Sequence, residues 1–233
     1  MIHILKREFI DAFKSVRSIL ILLFITFVSY QSAKFFDENQ DMINQFIGES
    51  GNEVGSVYTA AIAFIVLIFG FLFVFAISHD LINREIEMKT IRLLVTKTSR
   101  LQIVLGKFLG ILLFWVVTIS ISFAIISLIT GSWFPKDYFQ TIIFLFYIIS
   151  LVLLISTVIP KTKLTMFLGI FLGIVLPIIG LAAAFSDKWY FIPFKYLLPY
   201  KYFDGSVGMM FIPLAIGIGY ISLSIFFINR KDF

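Results

Sequence analysis

The sequence contains no cysteine, which excludes disulfides, thiolate metal sites and cysteine nucleophiles. Histidine is nearly missing as well. His3 and His79 stand apart among charged residues and offer no cluster of metal ligands. No Gly-x-x-x-x-Gly-Lys-Ser/Thr occurs; Gly106-Lys107-Phe108 is the nearest approach and lacks every other feature, so no phosphate cradle of that kind exists. The most telling absence is charge from six apolar stretches: Ile19–Ala33, Val57–Ser78, Phe108–Thr130, Gln140–Pro160, Leu164–Phe185 and Met209–Ile228. Without intramembrane Asp, Glu, Lys, Arg or His, the usual proton-relay and ion-coupling residues are lacking, and no Ser/His/Asp set or paired carboxylates could act at that depth.

What is present is hydrophobicity, 60% of 233 residues. An α-helix needs about 20 mostly apolar residues to cross the hydrocarbon layer. Five of the stretches reach that length, and Thr26, Ser29, Tyr30 and Gln31 could carry the shorter first one into the outer headgroups. The expectation is an all-α polytopic protein with six spans in a single domain over residues 1–233. The first run has no convincing cleavage site and reads as a retained helix. The net charge of +5 reports orientation rather than nucleic-acid binding. With the N-terminus inside, fourteen Lys and Arg fall on inner segments and five on outer ones, so both termini are expected in the cytoplasm.

Ahead of the first span, Ile2, Leu5, Phe9, Phe13 and Val16 recur at helical spacing with Lys6, Arg7, Asp11, Lys14 and Arg17 between them. Residues 1–17 therefore read as a basic amphipathic helix in the headgroup plane, either an anchor or an elbow that responds to a cytoplasmic partner. The first outer loop, 34–56, sets Asp37, Glu38, Asp41, Glu49 and Glu53 against Lys34, a solvated acidic surface or an attraction for cations. The inner segment 79–107 is the most ordered non-membrane stretch. Asp80–Val95 lacks Gly and Pro, Glu85 and Lys89 stand at i,i+4, and Ile82, Ile86 and Leu93 fall on one side, which predicts one short amphipathic helix. Ser99 followed by Gln102 is a capping-box signature for a new helix running into the third span.

Glu85-x-Glu87-x-x-Thr90-x-x-Leu93-Leu94-x-Thr96-x-x-Ser99-Arg100, followed by Gly106-Lys107, resembles the first cytoplasmic loop of ABC-2-type transporter permeases. The motif covers about twenty-five residues and the six-span plan covers the chain; Lys89 departs from the glycine common before the Thr. The resemblance implies a coupling helix docking on a separate ATP-binding subunit. Glu85, Glu87 and Arg92 would make its polar contacts, Ile91, Leu93 and Leu94 its apolar anchor, and Thr90, Ser99 and Arg100 belong to the same motif, the last two fixing the turn. The alternative is that the two glutamates are solvated charges. ATP and Mg would be used by the partner, two copies of it working with two copies of this chain, and no cofactor would bind here directly.

In the fifth span Gly169, Gly173, Pro177 and Gly180 share a face. Small residues so placed allow a backbone to approach closely, either within the chain or as a dimer seam along the transport route. Gly217 and Gly219 in the last span carry the same ambiguity. The outer segment 186–208 is dense in aromatics, including Trp189, Phe194, Tyr200 and Tyr202. That suggests interfacial helices, and the family resemblance implies an outer gate. With short loops and no docking module, the expected cargo is an amphipathic peptide exported across a bacterial cell membrane. The chain resembles permeases that export phenol-soluble modulins or confer peptide-antibiotic immunity. Drug or lipid export, and an ATPase-independent channel or immunity protein, are the alternatives.

Overall fold

The computed structural model describes residues 1–39, 54–186, 188–202 and 207–231, and among these the secondary structure is helical throughout. The acidic positions Asp41, Glu49 and Glu53 of the first outer loop, and Phe203 and Asp204 of the outer segment before the last span, lie outside the described residues. Ten α-helices follow in order: α1 (Ile2–Lys14), α2 (Val16–Glu38), α3 (Val54–Ser78), α4 (Asn83–Glu87), α5 (Ile91–Lys97), α6 (Arg100–Thr130), α7 (Pro135–Val158), α8 (Thr162–Phe185), α9 (Ile192–Leu197) and α10 (Phe211–Arg230). Short 3₁₀ turns surround α9 at Trp189–Phe191, Pro199–Tyr202 and Val207–Met210. Six helices are long and apolar enough to span a membrane, as the sequence predicts.

The boundaries differ from expectation where polar residues can still extend a helix. α2 runs 23 residues, past Ala33 to Glu38, with Lys34 and Glu38 paired across one turn at 3.6 Å. α6 begins at Arg100, capped by the Ser99 hydroxyl accepting from the Gln102 N–H, and runs 31 residues. At 1.5 Å per residue that is about 46 Å, longer than a ~30 Å hydrocarbon core. Its far end closes with Gly131 in the left-handed conformation at φ 66°, and Pro135 opens α7 at a position where its missing N–H costs nothing.

α7 is the innermost span, with Phe144, Leu145, Ile148, Ile149 and Val152 all buried. α3, α6, α8 and α10 pack around it, and α2 lies outside against α3 and α6. Pairing of α10 with α7 and of α8 with α3 forms the most extensive contacts. The amphipathic α1 does more than float in the interface, because it is seated on α6. A Cβ at Gly110 would fall 2.7 Å from Glu8 Cβ and 3.0 Å from the Leu5 carbonyl, and one at Gly106 would meet Ile4 at 3.1 Å. Phe13 adds an edge-to-face contact with Phe114 at 4.9 Å.

The end of α10 is tied to α6 and α7. The Arg100 guanidinium donates to the carbonyls of Ile228, Asn229 and Lys231 at 2.8, 2.8 and 3.0 Å, satisfying the open carbonyls at the end of α10. The Lys231 ammonium in turn donates to the Thr157 and Val158 carbonyls that close α7.

Candidate functional site

The inner segment is not the single helix that Asp80–Val95 suggests. It breaks into α4 and α5 at Met88–Thr90, where Lys89 takes φ 57°. A side chain costs about 1–2 kcal/mol in that left-handed conformation, which is why glycine would suit the position. The break has two consequences. The expected Glu85–Lys89 pair does not form, because Lys89 leaves the helical track. Leu93 also leaves the face it would share with Ile82 and turns outward, 69% exposed, while Ile82 is fully buried.

The segment is fastened to the bundle at three points, Glu85 and Asn83 buried and Glu87 exposed. Glu85 is the first. Its carboxylate receives the Arg7 guanidinium at 3.0 Å, the Lys107 ammonium at 3.2 Å and the Thr90 hydroxyl at 2.6 Å. Lys107 reaches Glu8 as well, at 2.7 Å, so α1, α4 and α6 share one charge cluster. Burial pushes the Glu85 carboxyl upward. Lys107, the Thr90 hydrogen bond and Arg7 outweigh that and hold it below the usual range. Asn83 is the second point, fully buried, with its amide donating to the Thr165 hydroxyl at 2.6 Å. The Ser156 hydroxyl accepts from the Ile82 and Asn83 N–H groups at 2.8 and 3.2 Å. Glu87 is the third: it accepts from the N–H and hydroxyl of Thr162 at 3.0 and 2.6 Å, a carboxylate on the positive end of α8. The segment is thereby joined to α1, α6, α7 and α8 together.

A cavity of about 550 Å³ opens beside the charge cluster, lined by residues that include Asp11, Asp80, Arg84, Met88, Leu93 and Leu94. Of the sequence-derived coupling residues, Arg92 and Leu93 are exposed, Leu94 and Thr90 half-buried, and Ile91 fully inside. Ser99 caps α6 and Arg100 clamps α10. Sequence reasoning missed Arg7, Glu8, Asn83, Lys107, Ser156, Thr162 and Thr165 as a set. Its one available signal was the Gly106-x-x-x-Gly110 spacing, which marks where a second helix presses on α6.

A family model described as ABC-2 family transporter protein matches residues 2–189, most of the chain. The chain belongs to the ABC-2 transporter family. A search of curated proteins finds no match. Membership makes it a multi-pass membrane permease of an ABC transporter, and such a permease implies an ATP-binding partner.

At the other end of this ABC-2 permease the aromatic segment re-enters the bundle. Tyr200 is buried, its hydroxyl donating to the Leu67 carbonyl in the middle of α3 at 2.8 Å and its ring edge-on to Phe144 at 5.5 Å. The Tyr147 hydroxyl, halfway along α7, holds the Leu197 carbonyl at 3.0 Å. Tyr202 is buried and donates to the Tyr196 carbonyl at 2.7 Å, whereas Trp189 and Phe194 face outward. The four aromatics picked from sequence thus divide into two inside and two outside.

The glycine face of α8 resolves into packing within the chain. A Cβ at Gly169 would meet Phe75 at 2.7 Å, one at Gly173 would meet Leu72 at 2.7 Å, and one at Gly180 would fall 2.3 Å from the Tyr200 ring. Pro177 is buried on the same face. The close approach that these small residues permit is made within the chain, to α3 and Tyr200. Gly217 similarly receives Phe146 at 2.7 Å, while Gly219 meets nothing within 4 Å.

Proposed function

We propose that the chain is the permease subunit of an ATP-driven exporter in a bacterial cytoplasmic membrane, two copies working with two ATP-binding subunits. The observation that carries the reading is the clasped inner segment. One side is joined to four helices through Asn83, Glu85 and Glu87, and the other presents Met88 and Leu93, 65% and 69% exposed, beside Arg92. A surface fixed to the spans and apolar toward the cytoplasm is suited to receive force from a partner and pass it inward. Glu85 and Glu87 then serve as internal struts, and the partner meets the exposed side chains.

The same struts reach the far end. α8, held at its start by Glu87, carries Gly180, on which the re-entrant Tyr200 rests. Displacement of α8 would free Tyr200 from its slot, which makes the aromatic segment the outer gate. ATP and Mg are handled by the partner. The cargo that fits short loops and apolar helix faces is an amphipathic peptide, moved out of the cell or the membrane.

The test replaces Met88 and Leu93 together with Asp. Burying either side chain contributes roughly 1.5–3 kcal/mol, so affinity for the ATPase should fall at least tenfold, with unchanged insertion and an unchanged inner charge cluster. Undiminished copurification of the ATPase, with transport intact, would remove the docking role from this surface.

A further inference from the structure

A groove of about 340 Å³ lies between α3 and α8 at the end of the bundle that carries most of the basic residues. Its walls are Leu72, Phe73, Phe75, Met166 and Ile170, and Arg17 and His79 stand at its mouth. Depth follows from helix rise. Leu72 lies six residues above Ser78, about 9 Å, and Ile170 eight residues above Thr162, about 12 Å. The groove therefore extends from the headgroup level to near the midplane of a ~30 Å hydrocarbon core, the depth of one leaflet. Its size suits a single apolar group or chain, and Met166 and Ile170, 47% and 50% exposed, open it sideways to lipid.

The charge at the mouth selects the head. Arg17 is exposed and forms no ion pair among the described residues; its guanidinium only leans on the Ala76 carbonyl at 3.5 Å. It also occupies the first turn of α2, where the helix dipole disfavours a cation and favours an anion. An anionic headgroup at this point would satisfy both the guanidinium and the helix start. The cytoplasmic leaflet, where the charge count places this end, is the leaflet with negative surface potential. We propose that Arg17 and the α3–α8 groove hold one anionic glycerophospholipid of the inner leaflet, its phosphate on Arg17 and an acyl chain along Leu72 and Ile170. The site does not depend on what the protein exports. It lies on the α3–α8 pair whose far end seats Tyr200, so an occupied groove would brace the same two helices.

The experiment uses the full-length protein in vesicles of phosphatidylcholine with a minor share of phosphatidylglycerol, extracted gently and weighed by native mass spectrometry. Wild type should retain one phosphatidylglycerol in preference to phosphatidylcholine. Arg17→Gln removes a charged hydrogen bond and should lower retention about tenfold. Ile170→Trp, at a lipid-exposed position, should lower it by filling the groove with Arg17 intact. Arg230→Gln, which alters a cation resting on Phe226 at the same end of the bundle, should change nothing. Equal retention of phosphatidylcholine, or loss with Arg17→Gln but not with Ile170→Trp, would overturn the site. Equal loss with Arg230→Gln would reduce the effect to general surface charge and overturn it too. If Arg17→Gln fails to insert, Ile170→Trp decides alone.

Discussion

Lys107 is the most sensitive single residue at the inner end. Its side chain is 5% exposed and its ammonium serves two carboxylates, Glu8 at 2.7 Å and Glu85 at 3.2 Å. Lys107→Met preserves the length of the stem and removes the charge. Breaking a buried pair by deleting one partner costs about 3–5 kcal/mol, because the remaining charges are left without compensation. Arg7 stays in place as a second cation, but its side chain is 56% exposed, and an exposed pair is worth about 0–1 kcal/mol. The expected net loss is therefore about 2–5 kcal/mol. At roughly 2–4 °C per kcal/mol for a chain of this size, the melting temperature in detergent should fall by about 4–20 °C. Adding Glu85→Gln should recover part of it, since the second change removes one stranded charge. A double-mutant cycle should give a coupling of about 0.5–3 kcal/mol. pH gives an independent readout. Glu85 titrates below its ordinary 4.5 in the folded chain, so its contribution is complete above that value. It is lost as pH falls through the folded value, and no change should occur between pH 6 and 8. A loss under 1 kcal/mol in Lys107→Met, with no coupling to Glu85, would refute the clasp.

Three further outcomes follow from particular contacts. Gly180→Ala places a Cβ 2.3 Å from the Tyr200 ring; a cysteine-accessibility assay in the outer segment should show Tyr200 displaced, and Tyr200→Leu in the same chain should restore part of the packing. Lys89→Gly removes the left-handed strain at φ 57° and should raise thermal stability by up to about 1 kcal/mol; a decrease would mean that the lysine side chain stabilises the bend. Arg100→Ala releases three carbonyls at the end of α10, so carboxypeptidase should trim the C-terminus faster than in wild type while the spans stay inserted.

The sequence by itself determined the membrane architecture, because transfer of apolar side chains and exclusion of charge act residue by residue and leave a one-dimensional trace. Six spans, the helix start at Ser99 and the ABC-2 resemblance were legible for that reason. The small-residue face of α8 was equally legible, but its neighbours within the chain were not: spacing alone does not say what packs on a glycine, and only the tertiary structure places Phe75, Leu72 and Tyr200 there. The role of Glu85 depended on tertiary structure for the same reason. Its partners Arg7 and Lys107 lie 78 and 22 positions away, and a charge on an amphipathic helix has the same spacing whether it faces water or two cations from other helices. The break at Lys89 was decided there as well. Local propensity favoured one helix, and the hydrogen bonds of Asn83 and Glu87 to α7 and α8 on one side, with Ile91 buried on the other, outweigh the ~1–2 kcal/mol that a lysine costs at positive φ.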